Sequence, residues 1–355
     1  MAIKLTPGNL YFIRDIDYLT KEVGKYVKIG IVTNNRTTEQ RKKEHQTGNP
    51  RGIFDEYEVR DVPFVERLET QLHYEHIDRW ITGEWFLLND KEAKAVFERA
   101  LVVKAEQGAR QKTIRKVLED FGETPSNGVK LKANKKSLDL ETKYLQLKSE
   151  LNILAAQIEI SKKALCDVLG LNGSIEGVLR IGFTDATLIF DEAAFALAHP
   201  KDYKSFLKSK PDKLSAKFTM DKTTTVSLAK IDPALAAQKS SLVKMNFTKA
   251  QLGNKLSRDK VSEKLHWNHL QLLREEKIRE YEIEMVQYEI QAMVGKSEGI
   301  EGICTWTRKM ISVADSFDVT AFKTAKPKLY EKYCTKVKNA IFSFEVEKFR
   351  AYKPR

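Results

Sequence analysis

The sequence lacks the features that define several classes of protein. Its three cysteines, Cys166, Cys304 and Cys334, lie far apart, and none belongs to a CxxC pair. This pattern argues against a structural zinc site, and an odd number of cysteines argues against a disulfide framework. We therefore expect the protein to work in a reducing compartment, the cytoplasm.

Long apolar runs are also absent. No apolar segment approaches the roughly 20 residues that a membrane-spanning helix needs. The opening residues show no basic segment followed by a long apolar one, so we expect no signal peptide and no membrane partner. The 42% apolar and 31% charged residues are typical of a globular protein, and a length of 355 residues predicts two or three domains.

The sequence has no excess of acidic residues, and its excess of basic over acidic residues is unevenly distributed along the chain. The net charge is +12, but residues 1–100 contain 16 Lys or Arg against 17 Asp or Glu. The remaining residues therefore have 45 basic and 32 acidic side chains, a net charge of +13. Such a surface favours a polyanion such as nucleic acid, because binding releases counterions. A lysine-rich solvated surface is the alternative.

The first hundred residues predict a small α+β layer. Residues 10–14 and 26–32 are β-branched and aromatic runs typical of a hairpin, and Gly30 indicates close approach of another backbone or a ligand. Residues 37–46 are compatible with a helix that Thr37 or Thr38 caps and that Gly48-Asn49-Pro50 ends. Residues 54–59 alternate as a third strand, and Pro63 is expected to open a helix that runs to about Trp80.

Five short motifs occur in order along this region: Asn9-Leu10-Tyr11, Lys28-Ile29-Gly30, Arg41 with His45, Glu69 with His73, and Gly83-Glu84-Trp85-Phe86. Together they resemble the GIY-YIG endonuclease family, most closely the phage branch whose second motif reads KIG. The resemblance covers about a quarter of the chain. It implies a three-stranded antiparallel sheet with flanking helices, DNA as the partner, and metal-dependent hydrolysis of phosphodiester bonds.

The resemblance also implies roles for particular residues. Glu69 matches the ligand of one divalent ion, Mg²⁺ or Mn²⁺, and Arg41 and His45 match an i,i+4 pair beside the scissile phosphate. Tyr11 matches the tyrosine that orients or deprotonates the attacking water. Lys28 stands where a second tyrosine is usual, so Lys28 either binds a phosphate or lowers the pKa of Tyr11.

Two further departures from the family pattern concern the same site. Arg36-Thr37-Thr38 lengthens the loop between strand and helix, so the match of Arg41 rather than Arg36 depends on its spacing to His45, and Ile81 stands where an asparagine is common. Tyr26, on the same strand face as Lys28, is a candidate substitute for the missing tyrosine. Taken singly, Tyr11 is also consistent with a core aromatic residue. Arg41 and His45 are likewise consistent with a solvated helix face, and Glu69 with an ordinary surface glutamate.

Residues 101–140 read as a basic connector that contains turn residues at Gly122 and 125–128. Five of its cations are candidate nucleic-acid contacts: Lys112, Arg115, Lys116, Lys135 and Lys136. The alternative is a solvated linker.

The rest of the sequence reads as a duplication. Residues 145–147 match 270–272, Gly170 matches Gly295, and 175–177 match 300–302, all at an offset of 125. After a two-residue insertion the matches continue, as in Phe190 with Phe317 and Phe195 with Phe322. We therefore predict two helix-plus-β units, 141–228 and 229–355. Their long helices, 145–169 and 261–294, have apolar stripes that pair with each other.

The second unit resembles the C-terminal tail of YqaJ-type phage recombination exonucleases. The resemblance depends on residues 302–306, 317–318, 327–333 and 342–344. It implies a DNA-engaging role and a phage or prophage origin, with a bacterial host cell, and it transfers no catalytic residue.

The sequence therefore predicts a metal-dependent DNA endonuclease of phage type, with residues 1–100 as the nuclease domain. One alternative is a catalytically inactive module that binds nucleic acid. The other is an adaptor that uses the duplicated region to bind a phage or host protein. No pattern specifies an oligomer.

Overall fold

The computed structural model describes residues 5–33, 36–47 and 50–348, and it has the predicted α+β fold. Gly48 and Asn49, the predicted end of the first helix, lie outside the described residues. In the part of the chain that the structure describes, no helix is both long enough and apolar enough to cross a membrane.

The first domain is built on an antiparallel sheet of five strands rather than three. The strands are β1 (Gly8–Ile16), β2 (Val23–Thr33), β3 (Gly52–Val62), β4 (Trp80–Thr82) and β5 (Trp85–Leu87), in the order β3-β1-β2-β5-β4. The three predicted strands form one side of the sheet in the order β3-β1-β2, and the short pair β5 and β4 extends it beyond β2.

Three helices accompany this sheet. Helix α1 (Thr38–Gln46) begins after Thr37, which caps it in a capping box with Gln40. Helix α2 (Val65–Glu75) is shorter than predicted: it starts two residues after Pro63, and a separate 3-10 turn (Ile77–Arg79) follows it. Trp80 therefore begins a strand, where its ring stacks on that of Phe86 at 5.8 Å.

Helix α3 (Asp90–Arg115) starts at a capping box between Asn89 and Glu92 and continues into a π-helical turn (Lys116–Phe121). The predicted domain boundary at residue 100 thus falls inside a helix. The core beneath the sheet includes Phe12, Leu68 and Leu72, and it also contains Leu270 from a distant helix. The first domain is therefore completed by a residue from the second half of the chain.

Two long helices form the centre of the remaining chain, as predicted. Helix α4 (Lys135–Leu169) and helix α9 (Lys260–Val294) have equal lengths and are offset by 125 residues. Each starts at a capping box and ends at a glycine with φ of 58°, Gly170 or Gly295. Helix α4 begins ten residues before its predicted start because Asn134 caps it.

The two helices lie antiparallel against each other. The Ser161 hydroxyl lies 2.6 Å from Nδ1 of His269, and Glu150 forms an ion pair with Arg279 near the middle of both helices. The paired helices bury apolar residues from both copies, so neither helix is a free amphipathic surface.

The strands around these helices are exchanged between the two sequence units. One sheet has the order β11-β14-β13-β6 and the other β12-β7-β8-β17. Their strands are β6 (Lys130–Leu131), β7 (Ser174–Ile175), β8 (Leu179–Thr184), β11 (Lys213–Met220), β12 (Lys255–Leu256), β13 (Gly299–Ile300), β14 (Cys304–Ile311) and β17 (Ile341–Val346). The first sheet takes its inner strands from the second unit and its outer strands from the first unit (β11) and the connector (β6). The other sheet takes its inner strands from the first unit and its outer strands from the second.

Short helices and ribbons close the two units around a shared aromatic cluster. The ribbons pair β9 (Thr187–Ile189) with β16 (Lys336–Lys338) and β10 (Leu207–Lys208) with β15 (Ser316–Phe317). The helices around the cluster are α5 (Glu192–Ala198), α6 (Pro200–Ser205), α10 (Val319–Ala325) and α11 (Pro327–Lys332). Two other short helices, α7 (Leu228–Ile231) and α8 (Pro233–Ser240), pack against α4 instead. Phe195 and Phe322, at matching positions in the two units, pack against each other at 4.5 Å in this cluster.

Candidate active site

Four elements of the first domain meet around the side chain of Tyr11. Tyr11 lies in β1 directly opposite Gly30 of β2, and its ring is almost fully buried. A Cβ atom at position 30 would lie 2.5 Å from the Tyr11 hydroxyl. The close approach predicted at Gly30 is therefore that of a side chain rather than of a backbone or ligand, and only glycine leaves room for this phenol.

Helix α1 presents Arg41 and His45 to that phenol. This helix buries no residue, and polar contacts position it instead, such as the hydrogen bond from Thr38 to Glu58 of β3 at 2.6 Å. The Tyr11 hydroxyl lies 3.1 Å from Nε2 of His45, and Arg41 also hydrogen-bonds it. The hydroxyl can thus accept from Arg41 while it donates to His45.

The electrostatics of this trio set its protonation at neutral pH. Burial raises the pKa of Tyr11 to about 12, and the hydrogen bond from Arg41 opposes the rise. Burial, with the nearby charges of Lys28 and Arg41, lowers the pKa of His45 below its usual 6.5. At neutral pH the phenol therefore keeps its proton, and the imidazole is neutral and able to accept one.

Glu69 lies on α2 beside the buried face of that helix. One of its carboxylate oxygens, Oε1, is buried and has no hydrogen-bond partner among the described residues. Burial, together with the charge of Glu84, raises the pKa of Glu69 to about 8, while Lys28 and Arg41 oppose the rise. A buried carboxylate with an unpaired oxygen is costly, and a nearby cation would relieve that cost.

Lys28 and Glu84 form an ion pair at the rim of the same site. Lys28 is buried in β2, with its ammonium group 5.8 Å from the ring centre of Trp85. Glu84, in the turn between β4 and β5, contributes its carboxylate to Lys28, and its charge raises the pKa of both Tyr11 and Glu69. Glu84 is the functional candidate that the sequence analysis missed.

The structure therefore brings together Tyr11, Lys28, Arg41, His45 and Glu69, and it adds Glu84. Two other residues from the motifs lie outside this group. His73 is buried behind β2, where its Nε2 donates to the carbonyl of Ile29 at 3.0 Å. Tyr26 is half exposed and pairs with Leu87 rather than with a site residue.

The predicted nucleic-acid contacts are distributed over two elements. Lys112 and Lys116 are exposed near the end of α3, and Arg115 forms an ion pair with Glu119 at 3.0 Å. Lys135 and Lys136 are exposed in the first turn of α4. Lys136 lines an open cleft of about 370 Å³ together with Arg110, so these two basic segments meet at one cleft.

The described residues contain no cluster of three or more His, Cys, Asp or Glu side chains arranged to hold a metal ion. Glu69 and Glu84 are two carboxylates whose charges interact at the site. This set is consistent with a weakly chelated ion of the Mg²⁺ type, which usually takes one or two carboxylates and completes its shell with water and phosphate.

Comparison with known proteins gives one informative match. No curated protein and no solved structure matches the chain. Residues 8–101, about a quarter of the chain, match the family model of the T5orf172 domain, a phage-associated domain of nuclease-like type.

Proposed function

We propose that this protein is a divalent-metal-dependent DNA endonuclease of the GIY-YIG type. The observation that carries the proposal is the buried, unpaired carboxylate oxygen of Glu69, whose charge interacts with both Tyr11 and Arg41. A phosphodiester-cleaving site needs a metal ligand, a cation against the developing charge and a group that accepts the proton of water.

Glu69 is the residue that would bind Mg²⁺ or Mn²⁺, with Glu84 as the second carboxylate near it. When bound, such an ion supplies a Lewis acid for the phosphate and lowers the pKa of a coordinated water. Ion binding requires the deprotonated form of Glu69. Because the pKa of Glu69 is about 8, binding must release a proton near neutral pH.

The remaining residues divide the chemistry among them. Arg41 is about one third exposed and paired with Glu44 at 2.6 Å, so an arriving phosphate can exchange for that carboxylate. Its guanidinium then stabilises the charge of the transition state. Tyr11 keeps its proton at neutral pH, so it orients the attacking water rather than acting as a phenolate.

His45 is the proton acceptor of this arrangement. Its imidazole is neutral at pH 7 and hydrogen-bonds the Tyr11 hydroxyl, so a proton from the water can reach it directly or through that hydroxyl. Lys28 replaces the usual second tyrosine. Its ammonium lowers the pKa of His45 and opposes the rise in the pKa of Glu69.

The basic surface outside residues 1–100 and the resemblance of the second unit to the tail of YqaJ-type exonucleases support DNA as the partner. The phage-associated match over residues 8–101 supports the phage or prophage origin.

The test is incubation of the full chain with supercoiled plasmid, with and without Mg²⁺ or Mn²⁺. We expect the wild type to nick the plasmid only with metal, and Glu69→Gln to be inactive. Glu98→Gln, which changes an exposed glutamate of α3, is the matched control and should remain fully active. Activity of the wild type in excess EDTA, or full activity of Glu69→Gln, would overturn the proposal.

A further inference from the structure

The outer face of the sheet β11-β14-β13-β6 is unusually rich in lysine and hydroxyl side chains. Strands β11 and β14 pair antiparallel, with Lys217 opposite Thr307 and Ser215 opposite Lys309. Side chains alternate between the two faces of a strand, so one face presents the following set: Lys213, Ser215, Lys217, Thr219, Thr305, Thr307, Lys309 and Ile311. The three lysines among them are exposed.

The opposite face of these strands is buried around Cys304, Trp306 and Arg308, and these residues fix the orientation of the sheet. Trp306 and Cys304 of β14 belong to the same core as Phe64, the residue that precedes α2. Arg308 is fully buried, and it donates to the carbonyls of Gly295 and Ser297 at 2.8 and 2.9 Å and to that of Phe121. The inner side of the sheet therefore holds it against the first domain, and the lysine face is the opposite side.

The charges on the outer face are available to a partner. Within residues 5–33, 36–47 and 50–348, none of Lys213, Lys217 and Lys309 forms an ion pair with a carboxylate. A fourth lysine, Lys130 of β6, reaches across β13 and donates to the Thr305 hydroxyl at 2.9 Å. One acidic group joins this network: Glu298 accepts from the Thr307 hydroxyl at 3.3 Å.

The other exchanged sheet, β12-β7-β8-β17, provides an internal comparison. At the positions that match Thr305 and Thr219 it has Arg180 and Glu345, which form an ion pair at 2.8 Å. At the positions that match Thr307 and Lys217 it has Gly182 and Ser343. The lysine face is thus a property of one sheet and does not follow from the shared architecture.

We propose that this lysine face binds the phosphate backbone of duplex DNA. Ammonium groups and hydroxyls are donors that phosphate oxygens accept, and such contacts position a duplex without reading its sequence. The face has no aromatic side chain on which an unpaired base could stack, because Trp306 points into the core. A duplex is therefore the expected partner rather than a single strand.

This inference deepens the proposed function, since it rests on DNA being the substrate. It adds a place for the duplex outside the cleavage site. Because the inner face of the sheet shares a core with Phe64, a duplex on the lysine face has a fixed relation to α2 and Glu69.

The test compares two double variants of the full chain. Lys217→Gln with Lys309→Gln removes two charges from the lysine face. Lys255→Gln with Lys260→Gln removes two exposed lysines on and beside the other sheet, and is the matched control. Binding to a 30-base-pair duplex and to a single strand of the same length is measured by fluorescence anisotropy in EDTA, at several salt concentrations.

We expect the lysine-face variant to bind the duplex roughly 10–30-fold more weakly at physiological salt. The slope of log K against log salt should fall by about 1.8, because each lost phosphate contact removes about 0.9. The control should bind within about twofold of wild type, and wild type should prefer the duplex.

Equal weakening of duplex binding in both variants would assign the effect to net charge and overturn the inference. Unchanged duplex binding in the lysine-face variant, or a preference of wild type for the single strand, would also overturn it. Plasmid nicking is scored separately on the same proteins. If the lysine-face variant loses duplex binding and wild type does not nick the plasmid, the lysine face is supported and the nuclease is rejected. If the lysine-face variant binds with wild-type affinity and nicks in the presence of metal, the nuclease is supported and the lysine face is rejected.

Discussion

Replacing Glu69 by glutamine should stabilise the metal-free protein while it abolishes nicking. Burial raises the pKa of this carboxyl from the ordinary 4.5 to about 8. The unfolded chain therefore releases the Glu69 proton above pH 4.5, whereas the folded chain retains it until about pH 8. Between these values the folded state binds more protons than the unfolded state, so wild-type stability must fall as pH rises.

The size of the effect follows from that difference in pKa. From pH 4.5 to pH 7 the carboxyl costs about 1.4 kcal/mol for each pH unit, or about 3 kcal/mol at pH 7. Glutamine has nearly the same shape and no charge, so Glu69→Gln avoids this cost. We expect it to gain up to about 3 kcal/mol at pH 7 and almost nothing at pH 4.5, measured by denaturation in EDTA.

The same denaturation measurement is then repeated with added Mg²⁺. It should stabilise the wild type at pH 8, by about 1.4 kcal/mol at ten times the dissociation constant, and leave Glu69→Gln unchanged. The exposed Glu98→Gln control should differ from wild type by less than about 0.5 kcal/mol at every pH. Equal stability of Glu69→Gln and wild type at pH 8 would refute the assignment of a buried, ion-binding carboxyl.

Three further predictions concern two residues of the site and one buried arginine outside it. Arg41→Ala should slow nicking by on the order of 10²–10³, because the transition-state charge loses its cation, while the melting curve stays that of wild type. Gly30→Ala should disable the site, because its Cβ would lie 2.5 Å from the Tyr11 hydroxyl. The control Gly108→Ala, in open space on α3, should stay active, and its free energy of unfolding should rise by up to about 1 kcal/mol in a denaturation curve. Arg308→Met should lower the free energy of unfolding by about 2–5 kcal/mol, because buried carbonyls of Phe121, Gly295 and Ser297 lose their donor; unchanged stability in a denaturation curve would contradict this.

Local sequence signals predicted the centre of the first domain well. The β1 and β2 hairpin follows from runs of β-branched and aromatic residues, and the start of α1 follows from Thr37 as a cap. Helix α2 was predicted too long because its apolar spacing continues through Ile77, whose buried side chain belongs to a 3-10 turn instead. Over a single turn, apolar periodicity does not distinguish an α-helix from a 3-10 turn.

Tertiary contacts explain what the sequence could not predict. Glu84 joins the site because a two-strand extension of the sheet brings its turn over Gly30, and each added strand has only three residues. Such short strands have almost no periodic signal. Leu270 lies 198 residues after Leu72 in the chain, yet both belong to the core beneath the first sheet. A contact of that sequence separation has no local signature.

The exchange of strands determines how this protein can be dissected. Strand β6 precedes α4 but pairs with β13, and β11 ends the first unit but pairs with β14. A fragment that starts at residue 136 would lose β6 from the edge of the lysine-bearing sheet. A fragment that ends at residue 100 would cut α3 and remove Leu270 from the first core. Separate domains therefore cannot report the separate contributions of nuclease and DNA-binding surfaces, and charge-matched substitutions in the full chain are the experiment that the architecture permits.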